Sequence, residues 1–217
     1  MMTINDIDIV HQLGIYLILV LSIALHEFGH AYMADKVGDD LPRLQGRVTL
    51  NPLAHLDPIG TGLIPLLNMF GFFGGFAMIG WGKPVMVNPA SHRNPMADDL
   101  LITAAGPFMN LVIALMLTFI GGFLMMVGIT PPDHLIIGIY MNIALIVFNM
   151  MPIPPLDGSH FMRWALGLSQ MAYIQMARYS IVMVLVLINV PIFTEFMGNL
   201  IQWGVTPLFF IMVSMAG

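Results

Sequence analysis

The chain contains no cysteine. That excludes disulfides and any thiolate metal site, and it leaves the redox state of the compartment unstated. Charge is nearly as scarce. Only 9% of the 217 residues are Asp, Glu, Lys or Arg, and 58% are hydrophobic. A soluble domain carries about 25% charged residues, so the chain reads as an integral membrane protein. Its formal net charge of −5 gives no electrostatic basis for a nucleic-acid partner. The start, MMTINDIDIVHQLG, lacks the basic region of a cleavable signal peptide. No repeat or low-complexity stretch breaks the pattern. The expectation is one membrane-embedded domain over 1–217, with a core at about 13–165 and C-terminal helices at about 177–216.

Long hydrophobic runs are plentiful. A spanning helix needs about 20 mostly apolar residues. Runs near 13–35, 100–128, 133–151, 177–194 and 197–216 meet that need. The fold class expected is therefore an all-α polytopic membrane protein of five to six segments. The sixth run, 59–80, holds Pro65 and the glycines Gly71, Gly74 and Gly75, which break helices or let backbones approach closely. It reads as re-entrant. Entering and leaving on one side places all seven basic residues, Lys36, Arg43, Arg47, Lys83, Arg93, Arg163 and Arg178, on a single face, as cytoplasmic loops require. LQGRVTL, before this run, is expected to form a short strand near the site. The 21 methionines suit an adaptable apolar interior and lipid-facing packing equally.

Against this background His26, Glu27 and His30 stand out, because they lie inside the first run. Ionisable groups in a membrane helix are costly and are functional by default. Two histidines four apart share one helix face. That spacing suits a zinc ion, with the intervening glutamate as general base on the metal's water. A catalytic zinc takes a third protein ligand and keeps one open position. Asp157, in FNMMPIPPLDGSH, follows prolines that stop a helix and begins a tight Asp-Gly turn. It is the leading candidate, with His160, His55 and Asp57 as rivals. His55 and Asp57 also fit loop-fixing or supporting roles. His11, His92 and His134 read as ordinary interfacial residues. For His26, His30 and Asp157 to share an ion, an even number of crossings must separate them, which again favours a re-entrant 59–80.

HEFGH in the first span, AAGPFMN at 104–110 and NMMPIPPLDG at 149–158 resemble the three signature motifs of site-2 proteases, which are intramembrane zinc metalloproteases. GRVTLNPLAHLDPIGT and WGKPVMVNP resemble the short bacterial branch without appended regulatory domains. The resemblance covers roughly 15–165. It implies Zn²⁺ held by His26, His30 and Asp157, Glu27 as catalytic base, and Asn149 holding the substrate backbone. It matches Asn110 to the asparagine of the middle motif, a packing or orienting residue. Ser159 departs from the family, which often has a second glycine there. The substrates implied are transmembrane proteins, cut in the plane of a bacterial inner membrane toward the cytoplasmic side. The extended KPVMVNP stretch could add to a substrate as a strand, or be an ordinary connection. Substrate identity and oligomeric state are not encoded in these motifs. Two other function classes use similar residues. A metal-ion transporter needs a polar path through both bilayer halves, and a catalytically inactive binding protein would keep the fold without the reaction.

Overall fold

A computed structural model describes residues 9–69, 80–187 and 189–217. Helix α1 runs Ile9–Val37. It contains no proline and ends where Gly38 adopts φ +104°, a left-handed conformation that suits glycine just past a helix end. The short α2, Leu41–Leu44, follows. A single 3₁₀ turn at Pro52–Ala54 leads to a wide π turn at Pro58–Leu63, capped by the Asp57 carboxylate, which accepts from Ile59 N and Gly60 N. That turn runs directly into α3, Ile64–Met69.

Helix α4 spans Pro95–Met126. The Asn94 side chain accepts from Ala97 N while Asp98 accepts from Asn94 N, a reciprocal cap that fixes the start. Helix α5 covers Asp133–Asn149 and stops ahead of Pro152, Pro154 and Pro155. Helix α6, Gly158–Ala165, then leads to α7, Gln170–Ala177, α8, Ser180–Leu187, and α9, Pro191–Ser214.

Helices α1, α4 and α9 are long and apolar enough to cross a membrane, and α5 is a shorter apolar helix of 17 residues. Ala114, Leu135, Ile139, Ile143, Val205, Leu208 and Met212 form the core between α4, α5 and α9. The outward faces are also apolar: Leu13, Leu17 and Leu21 on α1, Phe119 and Phe123 on α4, Trp203 and Phe210 on α9 are all exposed. Polar side chains such as Ser22, Asn110, Thr118 and Asn142 are buried instead. Apolar outside and polar inside is the arrangement a bilayer demands, and the protein is an all-α polytopic membrane protein.

Two expectations are corrected. The run 177–194 is not one spanning helix. It is broken between α7 and α8 and again before Pro191. Proline disfavours helix in the residue before it, and Val190 is accordingly extended. At about 1.5 Å per residue, eight-residue α8 covers roughly 12 Å, far less than a bilayer core of about 30 Å. LQGRVTL is also not a strand. It turns at Gly46, φ +68°, and among the described residues the only β pairing is a single bridge, Leu56 with Gly82.

That bridge bears on the segment 59–80. Trp81 N donates to Gly60 O at 3.3 Å, and Lys83 N donates to His55 O at 2.8 Å. The chain therefore returns beside the point where it left, which a full crossing would forbid. Tyr16 OH donates to Thr61 O at 3.0 Å, which packs the entry of this segment on α1 about ten residues, or roughly 15 Å, N-terminal to His26. The turn expected at Gly71, Gly74 and Gly75 lies outside the described residues. Two apolar helices, α4 and the shorter α5, lie between that return and Asp157.

Candidate metal centre

His26 and His30 sit 11 and seven residues before the end of α1, or roughly 16 and 10 Å along its axis, well inside the bundle. Helix α4 packs against this stretch closely enough that a Cβ at Gly29 would meet Ala105 O at 2.5 Å. Gly106 gives the imidazoles their room, since a Cβ there would collide with both rings. Asp157 reaches the same spot from the turn before α6. Its Oδ2 lies 3.3 Å from His26 Nε2 and its Oδ1 3.4 Å from His30 Nε2. The two Nε2 atoms are 3.0 Å apart.

The hydrogen bonds behind the rings decide what faces forward. Asn110 Nδ2 donates to Asn142 Oδ1 at 2.9 Å and to Ser22 O at 3.4 Å. Its Oδ1 is thereby the acceptor, and His26 Nδ1 donates to it at 2.6 Å. His30 Nδ1 donates to Ile102 O at 2.8 Å. A neutral ring that donates at Nδ1 presents a bare lone pair at Nε2. Two such lone pairs and a carboxylate thus point at one another, and Asp157 Oδ2 is buried without a hydrogen-bond partner. Such a set is repulsive unless a cation or a proton lies among it. Donors about 2.0–2.1 Å from a tetrahedral zinc lie roughly 3.3–3.4 Å apart, close to the spacings found. The residues present fit a zinc ion.

Glu27, next to His26 in α1, is also near Arg47 and Gly82. Its Oε2 lies 3.8 Å from Arg47 Nη2. A Cβ at Gly82 would meet Glu27 Cγ at 2.7 Å and Oε1 at 3.0 Å, so Gly82 is where the extended 81–88 stretch passes the carboxylate. Arg47 is 3% exposed and donates to the carbonyls of Lys83 and of Pro84, the latter at 3.2 Å.

The other candidates are placed elsewhere. His160 Nδ1 donates to Asp99 at 3.0 Å, and Trp164 Nε1 donates to the same carboxylate at 2.6 Å. His160 thus ties α6 to α4. His55 is fully buried and its Nε2 donates to Thr49 O at 2.8 Å. Burial pushes its imidazole below the usual histidine range, the Thr49 carbonyl opposes that, and the Arg47 cation reinforces it. His55 is a neutral loop-fixing residue, as Asp57 is a helix cap. Asn149 donates back to Leu145 O at 2.9 Å within α5 and contacts neither histidine. Asn110 is brought to the site as the partner of His26. Arg47, Ser22 and Asn142 escaped the sequence reading. Their signal is present, since each is a polar group within or beside an apolar run.

Residues 14–139 match peptidase family M50, more than half of the chain. The chain belongs to that family, the site-2 proteases, a family of zinc metalloproteases. Among its relatives is a Bacillus subtilis protein named "Putative zinc metalloprotease YwhC", 41% identical over 152 residues, 64% of this chain and 63% of that protein. The match thus spans less than two thirds of that relative's length. "Putative zinc metalloprotease Rip2" of Mycolicibacterium smegmatis is 27% identical over 209 residues, 88% of this chain and 73% of that protein, and its Mycobacterium tuberculosis counterpart is 27% identical over 201 residues, again 88% and 73%. No solved structure matches.

Proposed function

We propose that this chain, as a single domain over 1–217, is an intramembrane zinc metalloprotease that hydrolyses peptide bonds of membrane-spanning proteins. The observation that carries the proposal is the convergence of His26, His30 and Asp157 beside Glu27, at the interior of apolar helices. Zinc held by the first three would supply a Lewis acid that polarises a scissile carbonyl and acidifies water. Glu27 lies next to that set and is free of a direct hydrogen bond to Arg47 at 3.8 Å. It is the group that would take up a proton as water adds and return it to the leaving amine. Asn110, through His26, keeps one ligand ring in register.

A transmembrane helix hides its peptide bonds, so a substrate must be unwound to be cut. The stretch Lys83–Asn88 is extended and runs past Glu27. Between Lys83 N and Asn88 N it makes no backbone-to-backbone hydrogen bond among the described residues. Lys83 O and Pro84 O accept from Arg47 and Asn88 N donates to Asp39, so the backbone of Val85, Met86 and Val87 is the part on which an unwound substrate can pair as an added strand. Asn149 would contribute its amide to the substrate backbone by exchanging its bond to Leu145 O. Ala114, Ile139, Ile143 and Val205 form an apolar cluster beyond the site and, among the described residues, no charged one is buried with them, which favours a one-sided site over a path for ions across the bilayer. Lys36 in the last turn of α1, Arg43 in α2, and Arg47, Lys83 and Arg93 in the connections that follow all precede α4 at the metal-site end of the bundle, which supports a cytoplasmic-facing site. The bacterial relatives support a plasma membrane location.

Comparison of membrane proteomes from cells carrying the unaltered chain and Glu27→Gln tests the proposal. Single-span proteins should accumulate uncut in the variant. Identical proteomes at equal expression would count against proteolysis.

A further inference from the structure

Arg47 is a buried cation with an unusual set of partners. Its guanidinium gives its donors to two consecutive backbone carbonyls, Lys83 O and Pro84 O, and forms a longer ion pair with Glu27 Oε2 at 3.8 Å, without a hydrogen bond. Its Nε is buried without a partner. A buried charge is costly unless well paired, so a cation whose hydrogen bonds go to neutral carbonyls, with its one ion pair at 3.8 Å, needs a reason. The carbonyls belong to the extended stretch beside the metal site. The same stretch is held at two further points. Lys83 N donates to His55 O at 2.8 Å. Asn88 N donates to Asp39 Oδ2 at 2.5 Å, and Asp39 is fully buried. Between these ties Met86 is 60% exposed.

We infer that Arg47 is a positioning residue: its guanidinium fixes the extended Lys83–Asn88 stretch at a set distance from Glu27, and so fixes where a substrate strand lies relative to the metal-facing groups. The inference rests on the proteolytic reading for its purpose, but the clamp itself is a property of the chain. The planar fork of arginine holds two carbonyls at once, which lysine, a compact single point of charge, does not reproduce. Arg47→Met keeps the apolar stem and removes both bonds. Arg47→Lys keeps the charge and retains one.

The test uses full-length protein in nanodiscs. A nitroxide is attached through Met86→Cys, the only cysteine in the chain. The label should be restrained with Arg47 present. In Arg47→Met its mobility should rise several-fold, with an intermediate value in Arg47→Lys, and bound zinc should remain near one per chain. With β-casein as an unfolded probe substrate, Arg47→Met should raise KM at least tenfold and change kcat less, and Arg47→Lys should recover part of the loss. A label equally restrained in both variants overturns the inference. So does loss of zinc in Arg47→Lys, which would make Arg47 a support of the metal centre. If the unaltered chain leaves casein intact while the label is released as described, the clamp stands and the proteolytic reading is what fails.

Discussion

His26 Nδ1 donates to Asn110 Oδ1 at 2.6 Å, across 84 positions of sequence. This bond ties the first motif to the middle one and sets which nitrogen of His26 faces Asp157 and His30, where a metal would sit. Asn110 in turn leans on Asn142, whose Nδ2 donates to Ser22 Oγ at 3.0 Å and Gly138 O at 2.9 Å. Three helices are thus joined through one ring's orientation.

Asn110→Ala separates two roles by size. Interhelical hydrogen bonds in membranes contribute only about 0.6 kcal/mol on average. Loss of a partner behind a metal-bound histidine costs about 10–100-fold in metal affinity. The variant should therefore fold with near-normal stability yet release zinc to a chelator at 10–100-fold lower competition. Unaltered zinc affinity, measured by chelator titration, would reduce Asn110 to a packing residue.

The choice of third ligand gives a sharper contrast. His26→Ala, His30→Ala and Asp157→Ala should each abolish stoichiometric zinc. His160→Ala should retain it, because His160 is bonded to Asp99. His55→Ala should also retain it. Metal analysis of purified protein decides the matter, and zinc lost in His160→Ala but kept in Asp157→Ala would reverse the assignment.

Much of this site was legible in the sequence. His26 and His30 face one way because helical periodicity is strict. Asp157 could be placed by counting apolar runs, since two intervene and the chain at Trp81 lies back beside Gly60. Other features were not legible. Hydropathy averages a window, so it could not show that Arg178, Tyr179 and Pro191 interrupt the run 177–194. Strand propensity favoured LQGRVTL, but a strand needs a partner, and Arg47 turns inward there instead. Nor does any local pattern reveal that Asn110 supports His26, because that contact is made only when α1 and α4 pack at Gly29 and Gly106.

Gly82→Ala tests the passage of the extended stretch past Glu27. The added methyl would lie 2.7 Å from Glu27 Cγ and 2.8 Å from Ile23 Cγ2, so both side chains, or the stretch itself, must shift. Zinc content should be preserved, since no ligand is touched, while cleavage of β-casein falls at least tenfold. Full activity in Gly82→Ala would mean that the stretch is free to move away from Glu27.

His55 links stability to pH. Its folded pKa is lowered, chiefly by burial, relative to about 6.5 in the unfolded chain. Below that value the unfolded chain binds the extra proton and the folded one does not, so stability falls with acidification. The contribution is complete above pH of about 7.5 and is lost progressively as pH drops through 6.5. Thermal unfolding followed from pH 8 to pH 5 should show a decline that is shallower in His55→Gln. Parallel curves for the two proteins would remove His55 as the source.

The central claim is that Glu27 moves protons for a reaction whose metal is held by other residues. The direct measurement is made on purified protein in liposomes with a single-span reporter bearing a helix-breaking Gly-Pro pair. Zinc content and cleavage are read on the same samples of the unaltered chain and Glu27→Gln. The account predicts about one zinc per chain in both, with cleavage only where Glu27 is present. Cleavage by Glu27→Gln at the unaltered rate, with zinc still bound, would contradict it.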